Sequence, residues 1–179
     1  MFRLMFVLML MMGGFAHADD FSAVEEKLNV AMKSDVRTEA EMKRDRNRNP
    51  VRTLEFFELR DDMTVIELLP GGGWYTKLLA PVLKDNGELY VAIGTGRVKE
   101  NVLNQDGFDQ VKLIAEDARV YRPEGSRTYA LEAETLGVKD ADIVFTFRNY
   151  HYFGPEGRAA MNQLVFDALK PGGIYAVVD

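Results

Sequence analysis

The sequence predicts an α/β chain built on a doubly wound, parallel sheet. Three observations carry this expectation. Short β-branched runs alternate with amphipathic helical stretches from Thr64 onward, and the run "TVIEL" passes straight into the glycine turn "LPGGGW". The clearest helical periodicity, Met161, Leu164, Val165, Ala168 and Leu169, lies immediately before the final run, "GIYAVV". With 179 residues, 47% hydrophobic and 28% charged, the chain suits one globular unit with a real core.

The elements follow in order. Residues 1–18, "MFRLMFVLMLMMGGFAHA", read as a cleaved secretory signal: Arg3 is the basic start, Leu4 to Met12 the apolar run, and Ala16-His17-Ala18 the cleavage site. That run is too short to cross a hydrocarbon layer of about 30 Å, so no stable membrane anchor is expected after cleavage and the expected location is periplasmic. The chain has no cysteine, which rules out disulfides, a thiol nucleophile and a lipoprotein anchor. Residues 19–50 form an N-terminal helical segment followed by a charged stretch. Phe21, Val24, Leu28, Ala31 and Met32 recur at helical spacing, whereas "EAEMKRDRNRNP" has no apolar stripe. That stretch is either a solvated segment or a basic lid over an anionic part of a ligand, with Arg44, Arg46 and Arg48 as donors. Asn49-Pro50 reads as an N-cap and first helical position, with Val51, Leu54 and Phe57 on one face.

Residues 51–179 are expected to form the ligand-binding α/β unit. After "TVIEL" come a helix with Tyr75, Leu78, Leu79 and Val82, a "DNG" turn, and the strands "ELYVAI", "VKLIAE", "ADIVFTF" and "GIYAVV", the last preceded by "KPGG" as a helix stop. Right-handed crossovers bring "LPGGGW", "EDA" and "RNYHYF" to one rim, at the strand carboxyl ends where ligands bind. The chain stops directly after its fifth strand, so the sheet is expected to lack its last strands. The formal net charge of -6 argues against a nucleic-acid partner. A small-molecule partner is expected instead. No metal is expected, because His17 leaves with the signal, His151 stands alone and no carboxylates cluster at ligand spacing.

The glycine loop narrows the ligand. A phosphate-binding P-loop needs a lysine and a hydroxyl after its glycines, and Gly73 is followed by Trp74 and Tyr75. A dinucleotide fingerprint needs a third glycine where Thr76 stands. The remaining pattern, acid-x-Gly-x-Gly-x-Gly, resembles the first motif of class I S-adenosylmethionine-dependent methyltransferases, with Glu67 as the acid, Gly71 and Gly73 as the later glycines and Leu69 in place of the first. "ALKPGG" before a β-branched strand and the order of the five strands extend the resemblance over roughly residues 40 to 179. More narrowly, the signal, "ELLPGGGWYT" and "NYH" are similar to exported bacterial predicted methyltransferases.

The resemblance implies a Rossmann-like fold, S-adenosylmethionine as cofactor, and methyl transfer to a small acceptor held over the fourth strand. It implies that Glu67 faces the cofactor's ammonium group, that Gly71, Gly72 and Gly73 let the backbone pass beneath the methionine part, and that Asp117 meets the adenine edge. His151 would act as general base and Asn149 would orient the acceptor, with Tyr150 or Tyr152 as a wall. The competing reading of "FRNYHYF" is a polar strand end whose aromatics fill space, with Arg148 paired to a surface acid. Trp74 has two readings, core packing or cofactor contact. Leu69 is expected to pack under the strand end. Where the family carries a ribose-binding acid after its second strand, this chain has Ile93 and Gly94, a loss of about 1.5–3 kcal/mol if nothing replaces it, and Thr95 would do so only weakly. That gap, together with the signal, leaves a second reading: a non-catalytic exported protein binding a nucleoside-like ligand. A nicotinamide-dependent oxidoreductase is a third, against which Thr76 and the absent acid both argue.

Overall fold

The computed structural model of the protein describes residues 21–179, so the signal-peptide assignment lies outside the described residues. A five-stranded parallel sheet forms its centre. The strands are β1 (Thr64–Leu68), β2 (Glu88–Ala92), β3 (Lys112–Ile114), β6 (Ala141–Phe147) and β7 (Leu169–Val178), in the spatial order β3-β2-β1-β6-β7. β1 is the central strand, with Val65 beside Leu89 on one side and Ile143 on the other. The order reverses at β1, which makes its carboxyl end the topological switch point.

Period-two alternation explains why both faces are covered. Val65, Leu89, Val91, Ile143 and Phe145 face one layer, built from α1 (Phe21–Met32), α4 (Pro50–Phe56) and α5 (Thr76–Leu83). Ile66, Leu68, Ala92 and Val144 face the other, where α7 (Pro155–Ala168) packs through Met161, Leu164 and Val165. Lys27 of α1 reaches Asp61 at 2.7 Å and fastens the first layer to the loop ahead of β1.

The charged stretch folds as two short helices, α2 (Glu39–Met42) and α3 (Asp45–Arg48). Thr38 and Glu41 form a reciprocal capping box at the start of α2. Pro50 opens α4 as the sequence suggests, but Asn49 sits at φ 42 in the left-handed region and makes no side-chain cap. "KPGG" is not a helix stop: α7 ends at Ala168, and β7 already begins at Leu169, opposite Ala141, before a bulge resets the register to Ile143 beside Ile174. An unforeseen antiparallel hairpin, β4 (Arg119–Tyr121) and β5 (Ala130–Glu132), lies between β3 and β6 and packs Leu131 against the α7 layer. α6 (Gly96–Asn101), after β2, was likewise not read from the sequence. Among the described residues no helix is long and apolar enough to cross a membrane.

Candidate functional site

Four strands leave the sheet through a residue with left-handed backbone. Leu69 follows β1 at φ 53, Ile93 follows β2 at φ 62, Ala115 follows β3 at φ 48 and Arg148 follows β6 at φ 59. Each such conformation costs a side-chain-bearing residue about 1–2 kcal/mol, and all four lie on the carboxyl rim. Leu69 therefore adopts the backbone that a glycine would offer at the first loop position, while its side chain packs among Ile66 and its neighbours. Gly71 at φ 59 and Gly73 at φ 82 continue the turn. A β-carbon on Gly73 would fall 2.4 Å from Val102 Cγ2, so that glycine is needed for close packing on α6, whereas one on Gly71 would meet nothing within 4 Å.

Above this turn opens a cavity of about 380 Å³, of the size that small ligands occupy. Glu67, Leu69, Gly71 and Gly72 form its floor. Trp74, Tyr75, Phe147 and Tyr152 supply aromatic walls, and Asn149 closes the side next to β6. Tyr75 stacks on Phe147 with ring centroids 3.5 Å apart. Burial pushes the Tyr75 phenol up to about 12, so it stays neutral.

Glu67 points from β1 into the α5 layer and is only 2% exposed. Its carboxylate accepts one hydrogen bond, from Thr76 Oγ1 at 2.6 Å. Burial pushes its pKa up to about 7, and the Thr76 bond works in the opposite direction. A carboxyl poised in this way ionises when a cation arrives beside it.

Asn149 brings two parts of the rim together. Its Nδ2 donates to the Leu69 carbonyl at 3.1 Å and to the Phe147 carbonyl at 2.8 Å, tying the end of β6 to the start of the glycine turn. Trp74 combines both of its sequence readings. It is 7% exposed, it lines the cavity, and its Nε1 donates to the Glu41 carbonyl at 3.1 Å. The Arg37 and Arg48 guanidinium groups lie 5.0 and 4.4 Å from its ring. Lys77 Nζ reaches both carboxylate oxygens of Glu41, at 3.0 and 2.9 Å. These contacts seat residues 37–48 on the glycine turn.

The structure therefore gathers Glu67, Gly71, Gly72 and Asn149 at one cavity and leaves three other sequence candidates outside its walls. Gly73 faces Val98 and Val102 instead. Asp117 is exposed and lines a separate groove with Arg119 and Glu132. His151, with its side chain 48% exposed, is held by Asp179 through Nδ1 at 2.7 Å. Of the proposed basic donors, Arg44 and Arg48 line the cavity and Arg46 does not. Arg148 lines it too and has no acidic partner among the described residues, contrary to the expected surface pair. Arg97 was missed because α6 was missed; the signal was the run "GTGR" after the second strand. The end of β2 carries no carboxylate: Ile93 is fully buried, and Thr95 is buried and lies outside the cavity wall. Among the described residues no three His, Cys, Asp or Glu side chains could hold a metal ion.

No protein-family model and no curated protein matches the sequence. The fold is nonetheless that of solved methyltransferases. A SAM-dependent methyltransferase from Aquifex aeolicus superposes with a TM-score of 0.56 at 17% identity, over 86% of this chain and 71% of that one. Coclaurine N-methyltransferase, bound to N-methylheliamine and SAH, gives 0.51 at 12% identity over 84% of this chain and 42% of its own. DhpI, in a complex described as DhpI-SAM-HEP, gives 0.50 at 16% identity over 90% and 66%. The chain spans less than two thirds of the length of the latter two. At these identities the likeness establishes the Rossmann-like methyltransferase fold.

Proposed function

We propose that the protein is an S-adenosylmethionine-dependent methyltransferase acting on a small molecule. The observation that carries this reading is Glu67: a buried, singly bonded carboxyl on the floor of a cavity framed by Gly71 and Gly72, at the switch point of a methyltransferase fold. The solved relatives in complex with SAM or SAH support the choice of cofactor.

The residues present fit that group. Glu67 would receive its ammonium end, a charge match that a lysine-bearing phosphate loop would not offer. Gly71 and Gly72 leave backbone exposed without side-chain bulk, and the aromatic walls favour a sulfonium through cation–π attraction. When bound, the cofactor supplies an electrophilic methyl group. The chain's part is to align an acceptor and exclude water, which is where most of the acceleration in such a transfer arises. Asn149 keeps the rim in register through its two carbonyl contacts, so we assign it a positioning role. His151 faces Asp179 rather than the cavity, and Asp117 lies in another groove, so neither is given a part in the chemistry.

One observation favours the second reading, a binding protein without catalysis: β2 ends without a ribose-binding acid. The two readings separate in a single experiment. The chain is incubated with methyl-labelled S-adenosylmethionine and a small-molecule extract, and label transfer is followed by mass spectrometry. Transfer to a small molecule with release of S-adenosylhomocysteine is expected; cofactor binding with no transfer would favour the binding protein. An exported location, proposed from residues 1–18 alone, is checked by N-terminal sequencing of the mature protein.

A further inference from the structure

Four guanidinium groups, those of Arg44, Arg48, Arg97 and Arg148, line the same cavity, and none has a carboxylate partner among the described residues. The acids on the cavity walls, and Asp45 on α3, are already committed. Asp45 takes both arms of Arg37, at 2.9 and 2.6 Å. Glu41 holds Lys77, and Glu67 is buried beneath Thr76. Arg48 is fixed over the Trp74 ring, and its guanidinium value is lowered, by burial first, with the Arg44 and Arg148 charges pushing the same way. Four uncompensated cations around one cavity are out of keeping with a chain whose net charge is -6.

The cofactor alone does not balance this charge. S-adenosylmethionine carries one carboxylate against a sulfonium and an ammonium, so its arrival adds net positive charge to a site that is already cationic. A single carboxylate engages one guanidinium fork well, and the remaining arginines are left facing the space beside it. We infer that this space takes a second, anionic small molecule bearing phosphate or carboxylate groups. That anion is the acceptor, an assignment that rests on the methyl-transfer reading, whereas the anion site itself does not. It would also neutralise the field that otherwise opposes cofactor entry.

The test is isothermal titration of the purified chain at low salt with inorganic pyrophosphate and, separately, citrate, so that phosphate and carboxylate recognition are told apart. Both titrations are repeated with S-adenosylhomocysteine at saturation. Arg97→Gln/Arg148→Gln is the test variant, since among the described residues neither side chain has a polar partner whose loss would unfold the chain. Arg119→Gln, which breaks an exposed pair with Glu132 outside the cavity, is the control. At least one anion should bind the wild-type chain and remain bound beside S-adenosylhomocysteine. The double variant should weaken it by roughly tenfold or more, and the control should change it by less than about twofold. Folded wild-type chain that binds neither anion overturns the inference, as does unchanged binding in the double variant. Displacement of the anion by S-adenosylhomocysteine also overturns it, by assigning the arginines to the cofactor's carboxylate. An anion that binds while S-adenosylhomocysteine gives no heat removes the acceptor role along with the methyl-transfer reading and leaves the anion site standing.

Discussion

Replacing Glu67 by glutamine should make the protein more stable relative to wild type as pH rises. Glu67 stands at about 7 in the folded state against 4.5 for an unperturbed glutamate, because burial disfavours its charged form. A carboxyl raised on folding contributes stability that is fully present below its unfolded value. That stability is lost as pH rises toward the folded value and stays lost above it. A shift of this size corresponds to about 3 kcal/mol, of which about 2.5 kcal/mol falls between pH 5 and pH 8. Glutamine occupies the same space, accepts the Thr76 hydroxyl through its amide oxygen and does not titrate. The stability difference between variant and wild type, from urea denaturation, should therefore shift by about 2.5 kcal/mol in favour of the variant between those two pH values. Other carboxylates, such as Asp61 and Asp142, are held below their usual values by Lys27 and, against burial, by Lys170, and their contribution cancels because both proteins carry them. A difference that stays flat with pH would refute the placement of Glu67 as a buried, neutralised acid. The functional counterpart is that a cationic ligand end should bind wild type more tightly as pH rises through about 7, with no such rise in the glutamine variant.

Three further outcomes follow from the loop and its supports. Gly73→Ala should destabilise by about 2–4 kcal/mol, because its β-carbon meets Val102 and its backbone is left-handed, whereas Gly71→Ala should cost only about 1 kcal/mol; urea denaturation separates the two. Trp74→Ala should cost about 3–5 kcal/mol and free residues 37–48 from the glycine turn, seen as faster hydrogen exchange confined to that segment. His151→Ala should change stability by less than about 0.5 kcal/mol and leave cofactor binding unaltered; a large loss of methyl transfer would restore it as a base.

The parallel sheet was legible because its strands are buried on both faces and read as continuous apolar runs, and because α7 repeats its apolar positions with little interruption. The hairpin was not. Its strands are three residues each, Arg119 and Tyr121 are turned toward Glu132 at the surface, and the informative signal was the turn "PEGS" rather than any apolar alternation. Glu67, Gly71 and Gly72 were legible from the strand-to-glycine junction. Leu69 was half legible, since a side chain suggests packing and says nothing of a left-handed backbone. Arg97 and Arg148 were not, because charged residues in loops look like solvated surface until the strand ends are placed beside each other. His151 illustrates the opposite case: a histidine after the fourth strand has the chemistry of a base, and only the structure shows that the short 3-10 turn at Tyr150–Tyr152 carries it outside the cavity wall, toward Asp179.

The most direct test of the cofactor assignment is calorimetric titration of S-adenosylmethionine and S-adenosylhomocysteine into the folded chain and into Gly71→Val, whose side chain would enter the cavity without meeting other protein atoms at its β-carbon. Micromolar binding of both ligands to wild type, lost in the variant while its fold is retained, is the expected result. Well-folded wild-type protein that gives no heat with either ligand up to millimolar concentration would contradict the account.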